Sequence, residues 1–126
     1  MPLVAVAAAI VAALLHVYIF VLESVWFQRP AVWRRFGITS EADAQVVRSF
    51  AYNQGFYNLF LAIGVAVGLA LVGLGAVDAG RAIVAFACGS MVAAGVVLAT
   101  HNRSMLRAAG LQILPGLVAL VAIAVL

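Results

Sequence analysis

The sequence predicts an all-α fold, a four-transmembrane-helix bundle, from its composition and from the way its apolar residues are grouped. Of its 126 residues, 67% are apolar and only 9% are charged, whereas soluble domains contain about 25% charged residues. The apolar residues form long blocks, and a soluble domain of this length could not bury them all. We therefore expect a single membrane domain over residues 1–126.

Four segments are long and apolar enough to cross a bilayer, which takes about 20 residues of helix. They cover approximately residues 3–27, 50–74, 81–99 and 105–126. The first segment has no basic start and is longer than the apolar part of a signal peptide, so we expect it to remain as a spanning helix. Gly75 and Gly80 suit a tight turn between the second and third segments, and Ser104 is the predicted N-cap of the fourth.

The first connection, residues 28–49, carries signals of its own. Arg29-Pro30 ends the first helix, and the aromatic and cationic run Trp33-Arg34-Arg35-Phe36 is typical of an anchor at the membrane interface. Ser40 followed by Asp43 resembles a weak capping box. These signals predict a short interfacial helix that begins near residue 41 and runs into the second span.

The arginines predict the orientation in the membrane. Six lie in the first and third connections, and Arg81 alone lies on the opposite side. Positive residues favour the cytoplasm, so we expect both termini outside. The clustering of these arginines beside apolar runs accounts for the net charge of +3, and we predict no nucleic-acid partner. The six are Arg29, Arg34, Arg35, Arg48, Arg103 and Arg107.

Glu23 is the main candidate for chemistry, because it lies near the inner end of the first apolar run. A carboxyl group among lipid-facing residues is costly and usually faces a protein interior or a wet cavity. His16 precedes it by seven positions, which predicts that the two side chains share one helical face, two turns apart.

A second polar cluster begins the second span, where Asn53–Tyr57 and Gln54–Asn58 form two i,i+4 pairs. Gln112 occupies the first turns of the fourth span. We expect these side chains to meet Glu23 at one depth on the cytoplasmic side. The candidate catalytic residues are Glu23 and Tyr57; the candidate ligand-binding residues are His16, Tyr18, Asn53, Gln54, Asn58 and Gln112.

The sequence predicts no metal and no cofactor. His16 and His101 are the only histidines and lie at different depths, and no Cys/His spacing matches a zinc site. There is no Gly-x-Gly-x-x-Gly or Walker motif, which excludes the common nucleotide-binding enzymes. With Cys88 as the single cysteine, no intrachain disulfide can form.

The same polar residues carry a family resemblance over essentially the full length. The chain resembles the bacterial membrane family called domain of unknown function 1304, which implies a small multi-pass protein of the bacterial inner (plasma) membrane and supplies no activity. Ser24-Val25 departs from the resemblance, because bulkier apolar residues are expected after the glutamate. The matching residues are His16-x-Tyr18-x4-Glu23-x2-Trp26, Asn53-Gln54-Gly55-x-Tyr57-Asn58-x-Phe60-Leu61-Ala62-x-Gly64 and Gln112-x2-Pro115.

Three functions remain open from the sequence. The first is binding of a small or lipophilic ligand in a polar pocket on the cytoplasmic side, with or without catalysis by Glu23. The second is a small proton-coupled transporter, although Glu23 is shallow for one and the outer half is apolar. The third is a non-catalytic membrane assembly subunit whose polar residues only hold the helices together.

The expected partners follow from these alternatives. They are membrane lipids, a lipophilic small molecule and a second copy of the chain. The homodimer is an alternative because Gly64-x-x-x-Gly68 suits close helix packing either within one chain or between two.

Overall fold

A computed structural model describes all 126 residues, and it contains helices and no strand. Four of its helical stretches are long and apolar enough to cross a membrane, so the predicted all-α, four-helix membrane fold is confirmed. The orientation of the termini and the interfacial position of the residues near 41 stay predictions. The helices are α1 (Leu3–Phe20, continued by a π-helical turn over Val21–Val25), α2 (Pro30–Trp33), α3 (Glu41–Gly73), α4 (Val77–His101) and α5 (Leu106–Val125), with 3-10 turns at Arg34–Phe36 and Arg103–Met105.

The helix ends follow local chemistry. The helix predicted to begin near 41 and the second span form one continuous helix of 33 residues, α3. Ser40 caps it by accepting a hydrogen bond from the backbone N–H of Asp43, at 3.1 Å, as the sequence predicted. The prediction of Ser104 as the N-cap of α5 was wrong, because the N-cap of α5 is Met105. Asn102 caps the 3-10 turn before it, where its side-chain oxygen accepts from the Ser104 N–H at 3.1 Å.

Consecutive spans are neighbours in the bundle. Helix α3 packs between α1 and α4, and α5 packs between α4 and α1, so the last span closes the ring against the first. Helices α1 and α4 lie on a diagonal and touch little. This order is that of an up-and-down bundle, which short connections between antiparallel helices favour.

Small residues form most of the buried core. Helices in lipid gain little from burying apolar surface, so they associate through close packing, which small side chains permit. The central cluster therefore contains only one long side chain, that of Met91. Its other buried members are Ala8, Ala9, Ala12, Val65, Val84, Ala87, Cys88 and Ala119.

The glycine stripe Gly64-x-x-x-Gly68 faces α4 within the same chain. A Cβ atom added at Gly68 would lie 2.6 Å from a methyl group of Val84 and 2.9 Å from the carbonyl oxygen of Gly80. These distances leave no room for a side chain. The stripe is therefore an intramolecular contact, and a homodimer would have to use another surface.

A second, smaller core fixes the first connection against the start of α3. Phe27, Trp33 and Ala44 are buried together, and Phe36 packs against them. Trp33 is only 4% exposed, so its side chain anchors the 3-10 turn that follows. This anchoring places the turn Arg34–Phe36 beside the C-terminal end of α1, where the polar residues gather.

We predict that Gly68→Ala destabilises the protein by about 1–3 kcal/mol, since the added methyl group overpacks the contact with α4. The measurement is unfolding in mixed detergent micelles with increasing dodecyl sulfate, followed by circular dichroism. Gly73→Ala is the matched control on the same helix, because a Cβ there meets nothing within 4 Å. Equal unfolding midpoints for the two variants would contradict the packing described here.

Candidate functional site

Glu23 lies on the π-helical turn at the end of α1. In this turn the N–H of Trp26 donates to the carbonyl oxygen of Val21, five residues back, at 2.8 Å. Such turns insert a residue into the helical repeat and occur often at functional sites. Because of it, the seven-residue spacing does not bring His16 and Glu23 together: His16 points into the centre of the bundle, and Glu23 points to α3.

The predicted meeting of the acid with an amide of the second span is confirmed at Asn58. Its Nδ2 donates to Oε1 of Glu23 at 2.6 Å and to the backbone carbonyl of Gln54 at 3.2 Å. Both hydrogens of this amide group are therefore used. Asn58 is only 6% exposed, so the bond is shielded from competing water.

A close contact between α1 and α3 makes this bond possible. Ser24 packs against Gly55 at a place where a Cβ on residue 55 would collide with the serine side chain. The hydroxyl of Ser24 also donates to the backbone carbonyl of Tyr52 at 2.7 Å. A small hydroxyl residue therefore fits here, which gives a physical reason for the departure from the family resemblance at this position.

The polar residues open onto a cavity of about 370 Å³ between α1, α3, α4 and α5, beside the turn Arg34–Phe36; we call it the polar cavity. Nine apolar side chains line most of it: Leu15, Ile19, Leu22, Phe36, Ala94, Leu98, Met105, Ala108 and Leu111. Six further residues supply polar atoms: Tyr18, Glu23, Arg35, Gln54, Asn58 and Gln112.

Another hollow, of about 460 Å³, lies between Val4 and the C-terminal half of α5. Its lining is entirely apolar. It therefore offers no group that could orient or transform a ligand, and the polar cavity is the candidate site.

Arg35 is the functional candidate that the sequence analysis missed. Arg35 lines the polar cavity, and its guanidinium group donates to the hydroxyl of Tyr18 at 3.0 Å. The neighbouring Arg34 instead lies over the ring of Trp33, with 5.3 Å between the guanidinium carbon and the ring centre. Successive residues of a 3-10 turn point in different directions, so adjacent arginines that look equivalent in the sequence differ in the fold.

Gln112 and Leu111 close the cavity on α5. The Nε2 of Gln112 lies 3.5 Å from the carbonyl oxygen of Met91, a long and weak hydrogen bond that leaves its amide available. Pro115, inside α5, has no N–H to donate to the carbonyl of Leu111 four residues earlier. The carbonyl that Pro115 leaves without this helical donor therefore belongs to a residue that lines the cavity.

Three of the predicted site residues lie outside the polar cavity. Asn53 and Tyr57 are exposed, Tyr57 by 59%, because the inward face of α3 is formed by Gly55, Asn58 and Ala62. The expectation that Asn53 and Tyr57 meet Glu23 was wrong, because their positions lie off that face.

His16 is fully buried and does not line the cavity either. Its Nδ1–H donates to the carbonyl oxygen of Ala12 at 2.8 Å, and its Nε2 has no hydrogen-bond partner. The expectation that it faces the same space as Glu23 was therefore wrong, and its place is in the packed centre of the bundle.

A protein-family model described as "Protein of unknown function (DUF1304)" matches residues 10–124. The chain belongs to this family. The resemblance inferred from the sequence is thus confirmed, and all residues of the polar cavity fall within the matched range. No curated protein and no solved structure matches the chain.

We predict an energetic coupling of about 1 kcal/mol between Glu23 and Asn58, within the range found for hydrogen bonds between membrane helices. It is measured as a double-mutant cycle of unfolding free energies with Glu23→Ala and Asn58→Ala. Asn53→Ala is the control partner, since Asn53 is exposed on the same helix and the hydrogen bond of Glu23 comes from Asn58 instead. A coupling with Asn58 no larger than that with Asn53 would contradict the assigned bond.

Proposed function

We propose that this protein binds a small lipophilic molecule in the polar cavity. The observation that carries the proposal is one space with a mainly apolar wall and six polar residues. Binding pockets for small molecules typically measure about 300–1,000 Å³ and combine an apolar lining with a few polar groups that orient the ligand. At about 370 Å³ the polar cavity suits a small ligand or part of a larger one.

Unused hydrogen-bonding capacity supports binding over a purely structural role. The carboxyl group of Glu23 accepts one hydrogen bond from the protein, although a carboxylate can accept about four. Gln112 makes only one long bond. Polar groups that serve only to hold helices together would be expected to satisfy one another, whereas these leave donors and acceptors that face the cavity.

Catalysis would rest on Glu23. A carboxyl group at the wall of a cavity is within reach of a bound molecule and could act as a general acid or base. Tyr57 is not part of this proposal because its side chain lies on the exposed face of α3. Tyr18, which lines the cavity, is the phenol available to a ligand there.

The packing gives less support to a transporter. Alternating access needs a polar route from the site to the opposite side of the membrane. The N-terminal half of α1 instead contacts the bundle through Ala5, Ala8 and Ala9, which are almost completely buried. We therefore propose a binding pocket that opens at one end of the helix bundle only.

The test uses a photoreactive probe, a long-chain alcohol with a diazirine in its alkyl chain, and the protein in phosphatidylcholine nanodiscs. After illumination, mass spectrometry of peptides should find labels on cavity residues such as Leu98 and Leu111. Ala94→Phe and Ala108→Phe fill the cavity from two different helices. Each should lower labelling of these residues about tenfold, as a loss of about 1.4 kcal/mol would.

Ala93→Phe is the matched control for this experiment, since Ala93 is also exposed on α4 but does not line the cavity. Labelling in this variant should equal that of the wild-type protein. Labels confined to lipid-facing side chains, or labelling of Leu98 and Leu111 that persists in both filled variants, would rule out the binding site and favour the assembly-subunit alternative.

A further inference from the structure

We propose that the polar cavity selects a single-chain amphiphile with an anionic head group, a carboxylate or a phosphate, and that Arg35 binds this group. The inference rests on the proposed binding function and adds the chemical class of the ligand. Two features carry it: the hydrogen-bonding state of Arg35 and the shape of the apolar wall.

The guanidinium group of Arg35 has unused hydrogen-bond donors. Its one side-chain hydrogen bond within the protein goes to the hydroxyl of Tyr18, at 3.0 Å. A guanidinium group has five N–H donors in a planar fork, which matches the two oxygens of a carboxylate or a phosphate. Because a hydroxyl partner leaves the positive charge of Arg35 uncompensated, the group can still attract an anion.

Two other arginines of the first connection lie over aromatic rings. Arg29 lies over the ring of Trp26 at 4.7 Å, and Arg34 lies over the ring of Trp33. Arg35 is the one arginine that lines the polar cavity. Its position is built by the fold, since the buried Trp33 fixes the turn that carries it.

The size of the apolar wall favours a ligand with one alkyl chain. On α1 the lining runs from Leu15 to Leu22, about 10 Å along the helix axis at 1.5 Å per residue. Leu98 and Leu111 continue this wall on the facing helices. A volume of about 370 Å³ suits a head group with the first part of one alkyl chain and is small for a lipid with two chains.

Glu23 would favour the opposite class of ligand, an amphiphile with a cationic head group. Such a head group would have to bind the carboxyl group of Glu23, which already accepts a 2.6 Å hydrogen bond from Asn58. Arg35 has four unused donors, and a guanidinium group always keeps its charge in a protein, whereas a carboxyl group can take up a proton. The permanent positive charge thus favours an anionic head group, with Glu23 able to accept from a hydroxyl group of the ligand.

The experiment compares four diazirine probes with the same alkyl chain and different head groups: a carboxylate, a phosphate, an alcohol and a trimethylammonium. They are tested with the full chain in phosphatidylcholine nanodiscs at equal probe concentration. Both anions should label Leu98 and Leu111 about tenfold more than the alcohol, the size expected for a hydrogen bond to a charged group. The ratio of carboxylate to phosphate labelling tells a fatty-acid-like ligand from a phosphorylated one.

Arg35→Gln should remove the preference for the anions, so that they label Leu98 and Leu111 no more than the alcohol does. Arg34→Gln, a neighbour in the same turn that does not line the cavity, should keep the full anion preference. If Arg35→Gln does not fold, raising the salt concentration with the wild-type protein gives the second measurement. It should reduce anion labelling and spare the alcohol, because salt screens charge interactions near the surface.

The outcomes separate this inference from the proposed function. Equal cavity labelling by the alcohol and the anions would overturn the anionic head group and leave the binding site intact. Stronger labelling by the trimethylammonium probe would also overturn it and would assign the head-group role to Glu23. No labelling of Leu98 and Leu111 by any probe would overturn both proposals.

Discussion

The close approach of α1 to α3 at Ser24 and Gly55 is the contact on which the polar cavity depends. Gly55 has no side chain, so the end of α1 can lie directly against α3, and the Ser24 hydroxyl bonds to its backbone. The π-helical turn adds a residue at this place and directs Glu23 towards Asn58. In a bilayer, where no water can satisfy stray polar groups, such a contact holds an acid and an amide together at little cost.

The two ends of the bundle differ because their side chains differ in size and placement. Towards the N-terminus of α1, the side chains that face the core are alanines, which let the helices approach closely. At the other end, the large rings of Phe27 and Trp33 pack under the first connection and not between the helices. Small residues on α4 and α5, Ala94 and Ala108, then leave space between the spans. The cavity is thus a consequence of where the bulky side chains are used.

The sequence predicted the long-range organisation well and the local directions of side chains less well. Hydropathy defines four spans irrespective of packing detail, and the Ser40 cap defines the start of α3. The contact of Glu23 with Asn58 was also within reach, since both lie at the same end of antiparallel neighbours. The directions of side chains around the helices could not be predicted in the same way. In α1, for example, the π turn shifts the helical register without a mark in the sequence. Tyr57 lies outside the inward face of α3, which Gly55, Asn58 and Ala62 form, and the direction of Arg35 depends on the 3-10 turn that carries it.

Glu23 and Arg35 are the acidic and the basic side chain of the cavity, and each takes a neutral partner. Glu23 accepts from the amide of Asn58, and Arg35 donates to the hydroxyl of Tyr18. A direct ion pair between the two would have satisfied both groups and drawn the walls of the cavity together. Neutral partners fix the direction of each side chain without compensating its charge, so both remain able to interact with a third molecule. That separation supports the proposed ligand site, because polar side chains that only join helices would be expected to satisfy one another.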